Sequence, residues 1–145
     1  MRRVILVVLV ILASAQAAYA KADRERLKQA ISAVLADTLS DTTEVIDRLG
    51  FVHRVYADTS GLWYQSDEVG PDDSPAIRIA EHGARCPTSF VTDDPAYGSV
   101  LVVVWLEEAD QTPAVCCRRR VLAQPFWVWS MPRDVTPHPG EDLAV

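Results

Sequence analysis

Apolar positions recur at spacings of three and four between Asp23 and Leu39. Leu27, Ile31, Val34, Leu35 and Leu39 share one side, with Arg24, Lys28, Ser32 and Asp37 on the other. This is the period of a helix with one buried stripe. Asp41-Thr42-Thr43-Glu44 then has the form of a second N-terminal cap. Val45, Ile46 and Leu49 keep the apolar phase, and Gly50 suits the position after a helix end. The pattern predicts one helix bent near Ser40 or, by preference, two tandem helices.

After Gly50 the period changes to two. Phe51 to Tyr56 reads as a strand, Asp58-Thr59-Ser60-Gly61 as a turn, and Leu62 to Gln65 as the returning strand. Asp67 to Pro75 is an acidic loop containing Asp72 and Asp73, Ile77-Arg78-Ile79 is a short strand, and His82 to Tyr97 reads as irregular. Val100 to Leu106 is a continuous apolar run rich in β-branched residues, the mark of a strand covered on both faces. Val115 to Ala123 reads as its antiparallel partner. Phe126-Trp127-Val128-Trp129 reads as a further strand, with Trp127 and Trp129 on one face and Phe126 and Val128 on the other. All nine prolines fall between 71 and 139. The stretch 132–145, with three of them, reads as an extended or disordered tail.

These elements predict an α+β fold. An N-terminal helix, or two in tandem, packs on an antiparallel sheet of about 4–6 strands, with 99–107 as the central strand.

The first 20 residues look like an export signal: basic Met1-Arg2-Arg3, an apolar run Val4 to Leu12, and Ala18-Tyr19-Ala20 as a cleavage site before Lys21. The apolar stretch is shorter than the roughly 20 residues of a spanning helix. The expected organisation is therefore signal peptide 1–20, one domain 21–131 and tail 132–145, in a protein periplasmic or secreted from a bacterium, with no stable membrane anchor after cleavage. The chain has no Asn and few Lys, so it carries no N-glycosylation acceptor, and its basic residues are nearly all Arg.

Residues 21–145 carry 12 basic against 20 acidic side chains, a net charge of −8. That excludes a general affinity for nucleic acid or anionic lipid and suits a basic partner.

In an oxidising compartment, three cysteines predict a disulfide. The expected bridge is Cys86–Cys116 or Cys86–Cys117, with the first preferred because Cys117 shares its side with Val115 and Val121. It would close a loop of about 30 residues and contribute roughly 3–4 kcal/mol. The alternative is a reactive thiol, Cys116 or Cys117, lowered in pKa by Arg118-Arg119-Arg120 and served by His53 or His82 as base. His53, His82 and His138 lack ligand-like spacing, so no metal and no cofactor is expected. Arg118 and Arg120 project together and suit a carboxylate or phosphate, or the chain's own acids.

The first functional expectation is a small, exported, non-enzymatic protein-binding module, of inhibitor or immunity type or a component of an envelope assembly. Its binding surface would be Trp63, Trp127, Trp129 and the acidic loop with Asp72 and Asp73, with Arg118 and Arg120 as polar contacts. The alternatives are a thiol-dependent enzyme and a small-ligand carrier with a cavity between helix and sheet.

Overall fold

The computed structural model describes residues 21–36, 40–70, 75–81, 83–109 and 112–139. Helix α1 covers residues 21–35. Two antiparallel four-stranded sheets follow. Sheet A runs in the order β1 (Thr42–Ile46), β2 (Val52–Asp58), β3 (Gly61–Ser66), β4 (Ile77–Ala80). Sheet B runs in the order β5 (Ala84–Asp94), β6 (Gly98–Ala109), β7 (Thr112–Val121), β8 (Arg133–Asp134). Each sheet is a meander in which neighbours in sequence are neighbours in space.

Strand β6 is the middle layer of the molecule. Leu101, Val103 and Trp105 face sheet A and pack with Val55, Leu62, Tyr64 and Ile79. Val100, Val102, Val104 and Leu106 face the helix and pack with Leu27, Ala30, Ile31 and Val34. The apolar run is continuous because both of its faces are covered, as its sequence predicts. The three layers are therefore sheet A, sheet B and helix. Among the described residues, no helix is long and apolar enough to cross a membrane.

The α+β class, the helix on a sheet and the central strand agree with the sequence. The single sheet does not, for four local reasons. The second helix is strand β1. Thr42, Thr43, Val45 and Ile46 are β-branched, and exposure along the segment alternates with period two. The irregular stretch after His82 is strand β5, whose register against β6 shifts between Arg85 and Thr88. Cys86 takes a positive φ of 49° at that bulge. The bulge accommodates Pro87, which has no N–H to give a ladder.

Phe126 to Trp129 is a turn and not a strand, closed by Val128 N–H donating to Pro125 O at 2.9 Å. Turn geometry puts Phe126 and Trp129 together against the sandwich core and leaves Trp127 and Val128 outside. The segment read as a tail enters sheet B as β8, pairing Cys116 with Asp134 and Cys117 with Arg133. Val135 N–H then donates to Val115 O at 2.8 Å, and Val135 packs against the helix-side core.

Gly61 is required at the β2–β3 turn. A Cβ there would lie 2.3 Å from Ala80 O, so only glycine lets β3 approach β4 this closely.

Candidate functional site

Asp47 begins the turn between β1 and β2. Its Oδ1 accepts from the N–H groups of Leu49 and Phe51, at 2.8 and 3.0 Å. Gly50, at φ +89°, lets the chain double back. Asp47 Oδ2 is left pointing inward, 3.2 Å from His53 Nε2. His53 Nδ1 lies 2.8 Å from the Tyr64 hydroxyl, and that hydroxyl accepts from Arg120 NH1 at 2.8 Å. Arg120 also grips Glu68 with two nitrogens, at 2.7 and 2.9 Å. Glu68 belongs to the 3₁₀ turn Asp67–Val69, capped by Ser66.

Arg120 can only donate, so the Tyr64 oxygen accepts from it, and Ser66 adds a further hydrogen bond there. His53 faces the Tyr64 hydroxyl with Nδ1 and the Asp47 carboxylate with Nε2, so the imidazole links the two. Burial pushes the Tyr64 pKa up to about 12, against the pull of the Arg120 charge. Burial also acts to raise Asp47, but the hydrogen bonds from His53, Phe51 and Leu49 outweigh it and hold the carboxyl below its ordinary value.

One donor atom from each of Asp47, His53 and Glu68 lies within 4.8 Å of the others. The set fits a metal poorly. Both imidazole nitrogens are engaged, and Arg120 already neutralises Glu68. His53, Tyr64 and Arg120 have no exposed surface, so the arrangement acts as a brace between β1, β2, β3, the 3₁₀ turn and β7.

The outer end of the brace holds the loop that joins β7 to β8. Arg120 NH2 donates to Gln124 O at 3.3 Å, and the Trp129 ring stands edge-on to Tyr64, 4.9 Å between centroids. Trp129 Nε1 donates to Phe126 O at 3.1 Å. Arg118 Nε donates to Ser130 O at 2.7 Å, and Ser130 N–H donates to Arg119 O at 2.9 Å. Pinned at both ends and from beneath, the loop still presents Trp127, 64% exposed, Val128 and Met131, 82% exposed.

The structure places the other candidates as follows. Trp63 is half-buried at the β2–β3 turn, its Nε1 donating to Asp58 Oδ1 and Ser60 Oγ at 3.1 Å each. Of the three tryptophans singled out by sequence, only Trp127 is exposed. Arg118 donates to the carbonyls of Ile79 and Ser130, and Arg120 is buried on Glu68. Asp72, Asp73 and His82 lie outside the described residues.

The expected disulfide is absent: Cys86, Cys116 and Cys117 are all thiols. Cys86 lies on β5 and the other two on β7, with β6 between them. Two strand spacings put the backbones about 10 Å apart, beyond the roughly 7 Å that a disulfide spans. Burial, then Glu107 and Asp134, push Cys116 up to about 12. Burial raises Cys117 as well, against the pull of Arg119 and Arg133. These thiols are held protonated, the opposite of an activated nucleophile.

A groove of about 220 Å³ runs along the edge of β4, floored by Trp105 and flanked by Arg78, Glu81, Glu107 and Arg118. Its polar groups are already engaged: Arg78 with Glu81, Trp105 with Glu107, and Arg118 with Ile79 O. It opens between the sheets' edges and not between helix and sheet, where a carrier cavity was expected.

The sequence points to two members of the buried brace, His53 and Arg120, the latter as a partner for the chain's own acids, which Glu68 is. Asp47, Tyr64 and Glu68 carry no such signal, because the members come from separate elements. Compared with family models, curated proteins and solved structures, the chain matches none.

Proposed function

We propose that this is a small exported protein of the bacterial envelope that works by binding another protein, with the β7–β8 loop as its docking element. One observation carries the reading. Trp127, Val128 and Met131 are exposed on a loop whose backbone and inner side chains are fixed to the fold. A mobile loop can hide its apolar groups at little cost. A fixed loop keeps them in water, and large apolar side chains displayed this way are typical anchors of protein interfaces. Prior fixing also reduces the ordering entropy lost on binding. The segment 1–20 supports export.

Trp63 and Trp129 belong to the fold in this reading, and Trp127 belongs to the partner. Trp127→Ala should change stability by no more than about 0.5 kcal/mol, as for most exposed positions, and abolish partner capture. Trp129→Ala should cost about 3 kcal/mol, as for an aromatic removed from a packed site. A Trp127→Ala protein that binds its partner unchanged would remove the loop from the interface.

A further inference from the structure

A strand at the edge of a sheet offers unpaired backbone groups to any other extended chain, and proteins usually blunt it. The two sheets have four such edges, β1, β4, β5 and β8. Three are blunted. On β4, Arg118 takes the carbonyl of Ile79 at 2.6 Å. On β5, Arg26 takes the carbonyl of Val91 at 2.8 Å, and a bulge breaks the register between Arg85 and Thr88. Strand β8 is two residues long.

Strand β1 is open. Its register with β2 is regular throughout, and Thr42–Ile46 contains no Pro and no Lys. Asp47 N–H donates to Phe51 O and Ala57 N–H to Asp41 O. Backbone groups alternate along a strand, so Asp41, Thr43, Val45 and Asp47 turn theirs to β2, and Thr42, Glu44 and Ile46 turn theirs outward. Thr42 N–H is taken by Ser40 Oγ at 3.3 Å. Among the described residues, nothing bonds to the backbone of Glu44 or Ile46. Their side chains lie on the exposed face of sheet A, Ile46 opposite Val52 and Glu44 opposite Arg54.

Acids outnumber bases along this side. Thr43 Oγ1 lies 3.3 Å from Ser89 Oγ, which sets β1 beside β5. Asp41, Glu44, Asp93 and Asp94 stand on these two strands or next to them, with Arg48 held by Asp93 and Arg54 by Glu44.

We propose that a basic extended segment of another protein adds to sheet A as a strand along β1. Its main chain bonds to Glu44 and Ile46. A Lys or Arg sits across from Glu44, and an apolar side chain two positions away sits across from Ile46, as cross-strand neighbours pair on one sheet face. A second copy of the chain would bring the same excess of acid to the edge. The site goes beyond the docking loop, whose contacts run to β3 and β7.

The test is selection from a displayed library of random peptides on the purified protein, with Glu44→Pro protein as the counter-selection. Proline there removes an N–H that the fold does not use, so the variant should keep the parent's urea midpoint. The expected outcome is enrichment of alternating sequences with Lys or Arg two positions from an apolar residue. A synthesised winner should bind about tenfold more weakly to Glu44→Pro protein. On the parent, N-methylation of its alternate residues should weaken it as much in one phase and leave it unchanged in the other, because a strand turns every second N–H to its neighbour. This second readout needs no variant and stands even where Glu44→Pro protein fails to fold. Acidic winners that depend on the edge overturn the basic class. Winners indifferent to N-methylation in both phases overturn strand addition, as does the absence of any winner that binds the parent. A parent that is dimeric, and monomeric as Glu44→Pro, overturns the proposal in favour of a second copy.

Discussion

Arg120 holds Glu68 through both terminal nitrogens from a position with no exposed surface, while Glu68 keeps a fifth of its side chain in water. The two partners are therefore unequal when the pair is broken. Glu68→Gln leaves a guanidinium charge buried without its counter-ion and should cost about 3–5 kcal/mol. Arg120→Met leaves a carboxylate that can turn toward solvent, so it should cost less. Urea unfolding of both variants measures the difference. Equal, small effects would show that the pair is not a brace.

The Tyr64 hydroxyl is the joint between the Arg120 side of the network and the His53 side. Tyr64→Phe removes it and takes from His53 Nδ1 its hydroxyl partner and from Arg120 NH1 one of its two acceptors, the other being Glu68, for a loss of about 1–3 kcal/mol. In an ultraviolet titration the Tyr64 phenolate should appear only near pH 12, and that late component should be missing from Tyr64→Phe.

Asp47 makes acid stability testable. Its folded pKa lies below the ordinary value of 3.8. A depressed carboxylate contributes stability that is fully present above its unfolded pKa and is lost as pH falls through the folded one. The stability gap between the parent and Asp47→Asn should therefore be constant above about pH 5 and narrow below about pH 4. A gap that widens on acidification would contradict this assignment.

The cysteines give a chemical test of the strand order. With β6 between Cys86 and the Cys116–Cys117 pair, the protein should carry three thiols and no disulfide. Alkylation at pH 8 should be slow in the native state and add three groups after unfolding. Recovery of a Cys86–Cys116 or Cys86–Cys117 bond would require a different arrangement of sheet B.

Legibility in the sequence followed the range of the interactions. Val100 to Leu106 announced a doubly covered strand because burial on two faces is a property of the run itself. The helix stripe Leu27, Ile31 and Val34 was visible for the same reason. Thr42 to Ile46 misled because a cap-like Asp-x-x-Glu and an apolar phase fit both a helix turn and a strand. Pairing with β2 decides between them, and pairing lies elsewhere in the chain. Strand alternation places Trp127 and Trp129 together, and a turn at Pro125 separates them. Three cysteines and a compartment predict a disulfide, and it fails on the position of a strand that spacing alone does not reveal. The brace was least legible because Asp47, His53, Tyr64, Glu68 and Arg120 meet only after both sheets have formed.

The most direct test of the account puts a photo-crosslinking benzophenone side chain at position 127, and separately at position 63, in the protein expressed in its own host. The account predicts one discrete protein adduct from position 127 and none from position 63, where Trp63 is clasped by Asp58 and Ser60. No adduct from 127, or the same adducts from both positions, would contradict the loop as the docking element.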